Sequence, residues 1–174
     1  MEKSDTIRPG EQTLAIDPAT LADAQLAFIG QIASPWSRRE DCPKNMREAR
    51  LRARPAAILI AAPFRPALAG LAAGQFLHVL TWLGQARRDL ALQMPRHASQ
   101  PRGTFALRSP VRPNPIGLHL VRILAIDSAE GRIDIDGIDV LDATAVVDLK
   151  PFFETADIPP AGPFFGGSPG GEDA

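Results

Sequence analysis

Arginine, asparagine and proline crowd into one stretch, Arg108-Ser109-Pro110-Val111-Arg112-Pro113-Asn114-Pro115-Ile116-Gly117. Each proline fixes its own φ, removes a backbone donor and restricts the residue before it. Asn114 stands between two of them, which favours an extended backbone with its amide side chain projecting. A segment so stiff, carrying two guanidinium groups and one amide, is suited to holding a planar or anionic ligand. The plainer alternative is a proline-rich turn with solvated arginines, because loops attract Pro, Asn and Arg for local reasons.

Two further stretches could do chemistry. From Trp36 to Arg54 there are seven cations (Arg38, Arg39, Lys44, Arg47, Arg50, Arg52, Arg54) against three anions (Glu40, Asp41, Glu48). This segment reads either as a lip over a ligand site, with cations available for phosphate, or as a solvated helix face. The spacing of Arg47, Glu48 and the arginines from 50 to 54 matches intrahelical pairing for some of them. In the second stretch, Gly137 to Pro151, acidic residues recur between apolar ones, and Asp139 and Asp142 bracket a turn. Carboxylates there could face a ribose, an ammonium or a sulfonium, or take a proton; turn capping by Asp is the simpler account.

Histidine and cysteine point less clearly. His78 and His119 lie in apolar runs and read as satisfied core residues rather than ligands, while His97 is loop-borne. The three histidines show no metal-ligand spacing, so no metal is expected. Cys42 beside Lys44 could be an activated thiolate, but the sequence places no His or Asp partner for it. Dinucleotide, phosphate-loop and nucleophile-elbow motifs are missing from the chain.

The elements that must position these residues are short. Leu26 to Ile32 alternates as a strand ended by Ser34-Pro35, Ala56 to Ala62 is an apolar run between Pro55 and Pro63, and Phe76 to Leu83 is β-branched and aromatic. Thr104 to Leu107 predicts a short strand before the proline loop. Leu118 to Ile126 predicts a long one, joined by the turn Asp127 to Gly131 to a partner at Ile133 and Ile135. Ala143 to Leu149 completes seven short strands, with helix expected at 45–54, 66–73 and 85–92. The pattern is that of an all-β protein, a mainly antiparallel β-barrel with a few short helices. Residues 1–24 read as an N-terminal arm, 25–158 as the barrel domain and 159–174 as a disordered Pro/Gly-rich tail in which Phe164 and Phe165 could dock.

Composition narrows the class. At 174 residues and 45% hydrophobic content the chain suits one domain with a real core. Gly 14 and Pro 17 favour many turns. A net charge of −1 excludes binding nucleic acid through overall charge, so such a role needs a local patch. With a single cysteine no intrachain disulfide forms. No apolar run approaches a membrane span and the N-terminus lacks a signal-peptide core, so a cytoplasmic protein with no membrane partner is expected.

Taken in order, the segments Ile29-Gly30-Gln31-Ile32-Ala33-Ser34-Pro35, Cys42-Pro43-Lys44-Asn45, Gly103 through the proline loop to Gly117, and Asp139-Val140-Leu141-Asp142 through Val147-Asp148-Leu149-Lys150-Pro151 resemble the TsaA-like family. Its TrmO-type members are S-adenosylmethionine-dependent methyltransferases acting on N6 of N6-threonylcarbamoyladenosine in tRNA. The resemblance spans residues 26–158. It implies a β-barrel working as a homodimer, with the methyl donor contacted by Pro43, Lys44, Asn45, Gly84, Gln85, Arg108, Leu118, Asp139, Val140, Leu141 and Asp142. On this footing Arg108 suits the methionine carboxylate, Arg112 and Asn114 the substrate, and Asp142 the role of general base. Three departures stand out. Pro43-Lys44-Asn45 replaces Pro-Arg-Gln, Gln75-Phe76 replaces a Ser/Thr-His pair (with His78 the possible substitute), and Asp142-Ala143-Thr144-Ala145 replaces Asp-Gly-Thr-Pro. The extra C-terminal domain of longer members is replaced by the Gly/Pro tail. Two alternatives to a tRNA methyltransferase therefore remain: a non-catalytic S-adenosylmethionine-binding sensor or regulatory module, and a methyltransferase of small molecules.

Overall fold

The computed structural model describes residues 6–21, 23–95 and 98–159; His97 and most of the tail, with Phe164 and Phe165, lie outside the described residues. In chain order the elements are β1 (Gln12–Thr13), β2 (Gly30–Ala33), α1 (Met46–Arg52), β3 (Ala56–Ile60), β4 (Phe76–Trp82), β5 (Leu90–Gln93), β6 (Arg102–Gly103), β7 (Ile116–Asp127), β8 (Arg132–Ile135), β9 (Ala145–Pro151) and α2 (Glu154–Asp157). The chain divides into two compact units, one made of Met1–Leu26 and Trp82–Gly117, the other of Ala27–Thr81 and Leu118–Ala174. The expected all-β, antiparallel architecture is the one found.

In the larger unit the strands close on themselves in the order β2-β3-β8-β7-β4-β9, a closed barrel. Period-two alternation makes this possible. Along β7, Gly117, His119, Val121 and Ile123 are buried while Leu118, Arg122 and Leu124 are exposed, so successive side chains face opposite sides of the sheet. The core is aliphatic: Ile32, Ile58, Leu77, Val79, Val121, Ile123, Ile133, Ile135 and Val146 are essentially inaccessible. β3 runs antiparallel to β2 with Gly30 opposite Ile60, and to β8 with Ala56 opposite Ile135. The β7–β8 hairpin turns at Asp127 to Gly131, as the sequence predicts. Asp127 Oδ1 accepts the N–H groups of Ala129 and Glu130 at 3.1 Å each, and Gly131 takes a φ of +71°.

In the smaller unit β1, β5 and β6 form a three-stranded sheet in the order β1-β5-β6. Here two expectations need correction. The predicted helix at 85–92 is replaced at its end by β5, because Gln12 and Gly103 both pair with Leu92 and supply the backbone partners a strand needs. Thr104–Ala106 is a 3-10 turn, with the strand β6 just before it. Thr104 is buried and its hydroxyl donates to the Leu90 carbonyl at 2.7 Å, which draws the chain inward instead of along a ladder. In the larger unit, the helix expected at 66–73 is a 3-10 segment, Ala62–Leu68, with Pro66 inside it. The described residues contain nine strands rather than seven.

Gly30 shows how closely β2 and β3 approach. A Cβ there would fall 2.1 Å from the Leu59 carbonyl oxygen, a backbone atom that cannot swing aside. Gly30→Ala is expected to destabilise the fold by about 1–3 kcal/mol through this overlap, seen as a lower urea midpoint with unchanged slope.

Candidate functional site

The acidic turn is the most elaborately fixed part of the larger unit. Ser34 Oγ donates to the Val140 carbonyl at 2.9 Å, and the Ser34 N–H reaches Asp142 Oδ1 at 3.0 Å. The Trp36 indole N–H donates to the Ile138 carbonyl at 2.9 Å, while the Asp142 and Ala143 N–H groups return to Trp36 and Ile32 carbonyls at 2.8 and 2.9 Å. Trp36, Ile138 and Val140 are buried, and the indole bond to Ile138 is shielded from water, whereas the Ser34–Asp142 bond is exposed. Asp142 is exposed, with its carboxylate steered by the Ser34 amide. Ala143 takes a φ of +58°. It occupies the place where the family pattern has glycine, and alanine keeps the left-handed conformation at a cost of roughly 1 kcal/mol. Ala143 thus sits in the left-handed region that favours glycine.

Asp139 joins a polar chain that sequence reading did not assemble. Its Oδ1 lies 2.6 Å from His119 Nδ1, and His119 Nε2 lies 2.9 Å from Thr81 Oγ1. A carboxylate oxygen accepts, so Nδ1 carries the proton. In the neutral ring Nε2 then accepts from the threonine hydroxyl. Thr81 and His119 are buried and the Asp139 side chain is 16% exposed. His119 is thus the satisfied core histidine expected of it. His78 differs: its Nε2 lies 3.5 Å from Asp157, and its buried Nδ1 has no hydrogen-bond partner among the described residues. The signal for the chain was present in β4 and β7, where Thr81 and His119 interrupt otherwise apolar inward faces.

The 36–54 segment divides between pairing and exposure. Arg38 pairs with Asp41, Arg50 with Asp136 and Arg52 with Glu48, while the Arg52 guanidinium also sits 5.3 Å from the Trp36 ring. Arg39, Arg47 and Arg54 are exposed and have no ion-pair partner among the described residues. Asn45 is the N-cap of α1. Its side chain accepts the Glu48 N–H at 2.9 Å, and the Glu48 carboxylate accepts the Lys44 N–H at 2.8 Å. Those two bonds hold Lys44 and Asn45 in place beside the buried Pro43. The Lys44 amide first, and the Arg52 guanidinium second, hold the Glu48 carboxyl below the usual range. Leu118 is 48% exposed, an apolar surface on the strand that carries His119.

The smaller unit holds the remaining predicted positions. Gly84 and Gln85 are the central residues of an exposed turn closed by the Ala86 N–H to the Leu83 carbonyl at 2.9 Å. Arg108 is exposed on the loop that follows Thr104–Ala106. Arg112 bends back, its guanidinium donating to the Leu107 and Ser109 carbonyls at 3.3 and 3.5 Å, so part of its donor set stiffens the loop itself. Asn114 is exposed, and its Oδ1 lies 3.4 Å from Arg88 Nη2. Arg88 also donates to the Pro113 and Pro18 carbonyls and lies 5.6 Å from the Trp82 ring. Gln93 Nε2 donates to the Val111 carbonyl at 2.6 Å. Arg88 and Gln93 are the supports that the proline pattern did not announce.

Cys42 requires a correction. Burial first, and the nearby Asp139 charge second, push its thiol up to about 11, so it is not the activated thiolate that Lys44 suggested. A protonated thiol is a poor nucleophile. Alkylation of this single cysteine at pH 8 is expected to run roughly tenfold slower in the native protein than in urea, lower nucleophilicity in the unfolded thiolate offsetting part of its higher abundance. Equal rates, followed by mass spectrometry, would contradict this.

Comparison with known proteins assigns the chain. The family profile of the tRNA-methyltransferase O N-terminal domain matches residues 31–158. The chain is 36% identical over 149 residues to the probable S-adenosyl-L-methionine-binding protein VirR of Rhizobium radiobacter, covering 85% of this chain and 81% of VirR. It is 44% identical over 69 residues to a tRNA (adenine(37)-N6)-methyltransferase of Eikenella corrodens, covering 38% of this chain and 39% of that protein. The crystal structure of TrmO from Pseudomonas aeruginosa superposes with a TM-score of 0.61 at 30% identity over 79% of this chain; the match spans 59% of the TrmO chain. The fixed acidic turn, the capped Lys44-Asn45 segment and the proline loop all fall inside the matched span, and the chain belongs to the TrmO N-terminal domain family.

Proposed function

We propose that the protein is an S-adenosylmethionine-dependent methyltransferase that methylates N6 of an adenosine in tRNA, most specifically of N6-threonylcarbamoyladenosine. The observation that carries this reading is the profile match across residues 31–158, which encloses every motif of the candidate site. The donor set fits the cofactor. Asp139 and Asp142 are carboxylates suited to ribose hydroxyls or an ammonium, and exposed Leu118 is an apolar wall for a purine. Arg108 can pair with a carboxylate through two N–H groups. Pro43, Lys44, Asn45, Gly84, Gln85, Val140 and Leu141 complete the proposed cofactor contacts, and Arg112 and Asn114 those to substrate.

When bound, S-adenosylmethionine supplies an electrophilic methyl group on a sulfonium. The chain's own contribution is positioning, because the displacement needs donor and acceptor close and in line. A carbamoylated N6 has its lone pair delocalised into the carbonyl, so removal of its proton assists attack. Asp142 is assigned that role, since it is exposed and its Oδ1 is held by the Ser34 amide. Exposed Arg39, Arg47 and Arg54 are available for RNA phosphates. A homodimer working in the cytoplasm belongs to the same proposal. Among the described residues no helix is long and apolar enough to cross a membrane, and no group of three or more His, Cys, Asp or Glu is placed to hold a metal.

A second reading is favoured by one observation. VirR, matched along most of its length, is named as a binding protein, whereas the Eikenella methyltransferase is matched over only 39% of its length. On that reading the chain binds S-adenosylmethionine without transferring its methyl group.

Labelled methyl transfer to bulk tRNA separates the two. Transfer is expected; cofactor binding without transfer to either tRNA or small-molecule extracts selects the binding module. In calorimetric titration, Arg108→Ala is expected to weaken S-adenosylmethionine binding by about 1.5–3 kcal/mol, the range for a hydrogen bond to a charged group. An unchanged affinity returns Arg108 to a loop role. Asp142→Asn is expected to lower turnover at saturating S-adenosylmethionine by about 100-fold or more; a folded, cofactor-binding variant with full turnover removes the base assignment.

A further inference from the structure

We propose that His119 is a positioning residue that aims the Asp139 carboxylate at the methyl donor, and that Thr81 locks the His119 ring for this task. The inference rests on the methyl-donor reading above and deepens it.

Three polar side chains run from the aliphatic interior out to the acidic turn. Thr81 is fully buried, His119 is 5% exposed and the Asp139 side chain is 16% exposed, with contacts of 2.9 and 2.6 Å linking them. Placing a hydroxyl and an imidazole among Ile, Val and Leu is unfavourable unless each is satisfied, and here each is. Each partner constrains the next. The hydroxyl of Thr81, on stiff β-branched β4, fixes the ring plane; the ring directs Nδ1–H at Asp139 Oδ1; Asp139 is then held by one oxygen. Its Oδ2 has no hydrogen-bond partner among the described residues, which leaves an oriented acceptor suited to a ribose hydroxyl or an ammonium.

A second observation supports a position of this carboxylate within electrostatic range of the Cys42–Asn45 segment. The Asp139 charge is felt at Cys42, the residue before Pro43, Lys44 and Asn45. His119 itself cannot serve the reaction directly, because both ring nitrogens are engaged inside the protein. Its influence passes through Asp139. The arrangement follows the way imidazoles and carboxylates orient one another in ligand sites, where the supporting hydrogen bond decides which face of the carboxylate remains available.

The test is a double-mutant cycle. S-adenosylmethionine is titrated into wild type, His119→Leu, Asp139→Asn and the double variant, each checked for folding by thermal melting. Each single substitution is expected to weaken binding roughly tenfold, and the double variant to bind no more weakly than Asp139→Asn alone. Multiplying losses, or wild-type affinity in folded His119→Leu, would overturn the proposal. If His119→Leu does not fold, Thr81→Val and His119→Asn replace it. Thr81→Val is expected to lose several-fold in affinity, and His119→Asn, which keeps an N–H for Asp139, to lose less than Thr81→Val; the reverse order overturns the relay. In the ligand-free protein the His119 Nδ1–H should give a slowly exchanging proton resonance that disappears in Asp139→Asn, and its absence from wild type counts against the geometry. Failure of wild type to bind S-adenosylmethionine would instead sink the methyl-donor reading, and this inference with it.

Discussion

The hydrogen bonds between the end of β2 and the 137–144 turn decide where the chemistry of this chain can sit. Ile32, Ser34 and Trp36 reach across more than a hundred residues of sequence to the carbonyls, amides and carboxylate of Val140, Asp142, Ala143 and Ile138. The same end of the sheet is held by the antiparallel pairing of β2 with β9, Gly30 opposite Val146 and Gln31 opposite Ala145. The turn is thus tied to β2 from both directions along the chain, its backbone pinned on one side by a tryptophan indole and on the other by a serine hydroxyl.

That constraint explains the tolerance of the turn to altered sequence. Replacing the family glycine by Ala143 would unwind an unsupported turn, since a left-handed alanine is disfavoured. The Ile32 carbonyl and the Thr144 side chain, which donates to the Leu141 carbonyl at 2.7 Å, hold the conformation regardless. The same logic covers Pro43-Lys44-Asn45. Asparagine is among the best N-cap residues, so in this chain the segment has a clear helix-initiating role whatever ligand it meets.

Much of the fold could be read because burial and alternation agree. Ala56 to Ile60, Phe76 to Trp82 and the β7–β8 hairpin fall where apolar periodicity puts them, and α1 fits inside the helix expected at 45–54. Leu90 to Gln93 was misread because Leu, Ala and Gln favour helices in isolation, and only distant partners make them a strand. The proline loop was visible as a stiff segment, yet Arg88 and Gln93, which anchor its carbonyls, lie 25 and 18 residues away. The Thr81–His119–Asp139 chain was hidden for the same reason, its members being 38 and 20 residues apart. Composition marks such residues as polar interruptions, but only three-dimensional neighbours show that they belong together.

The two kinds of sheet in this chain also differ in how they meet other polypeptides. A ring whose first and last strands are paired offers no ladder for an incoming chain to extend. The β1-β5-β6 sheet does end in open ladders, but its outer strands are two residues each, Gln12–Thr13 and Arg102–Gly103, with a charged or polar residue leading both. So brief a template gives a stray strand little to zip onto, which protects the molecule from edge-to-edge polymerisation without sacrificing any of the residues that fill its interior.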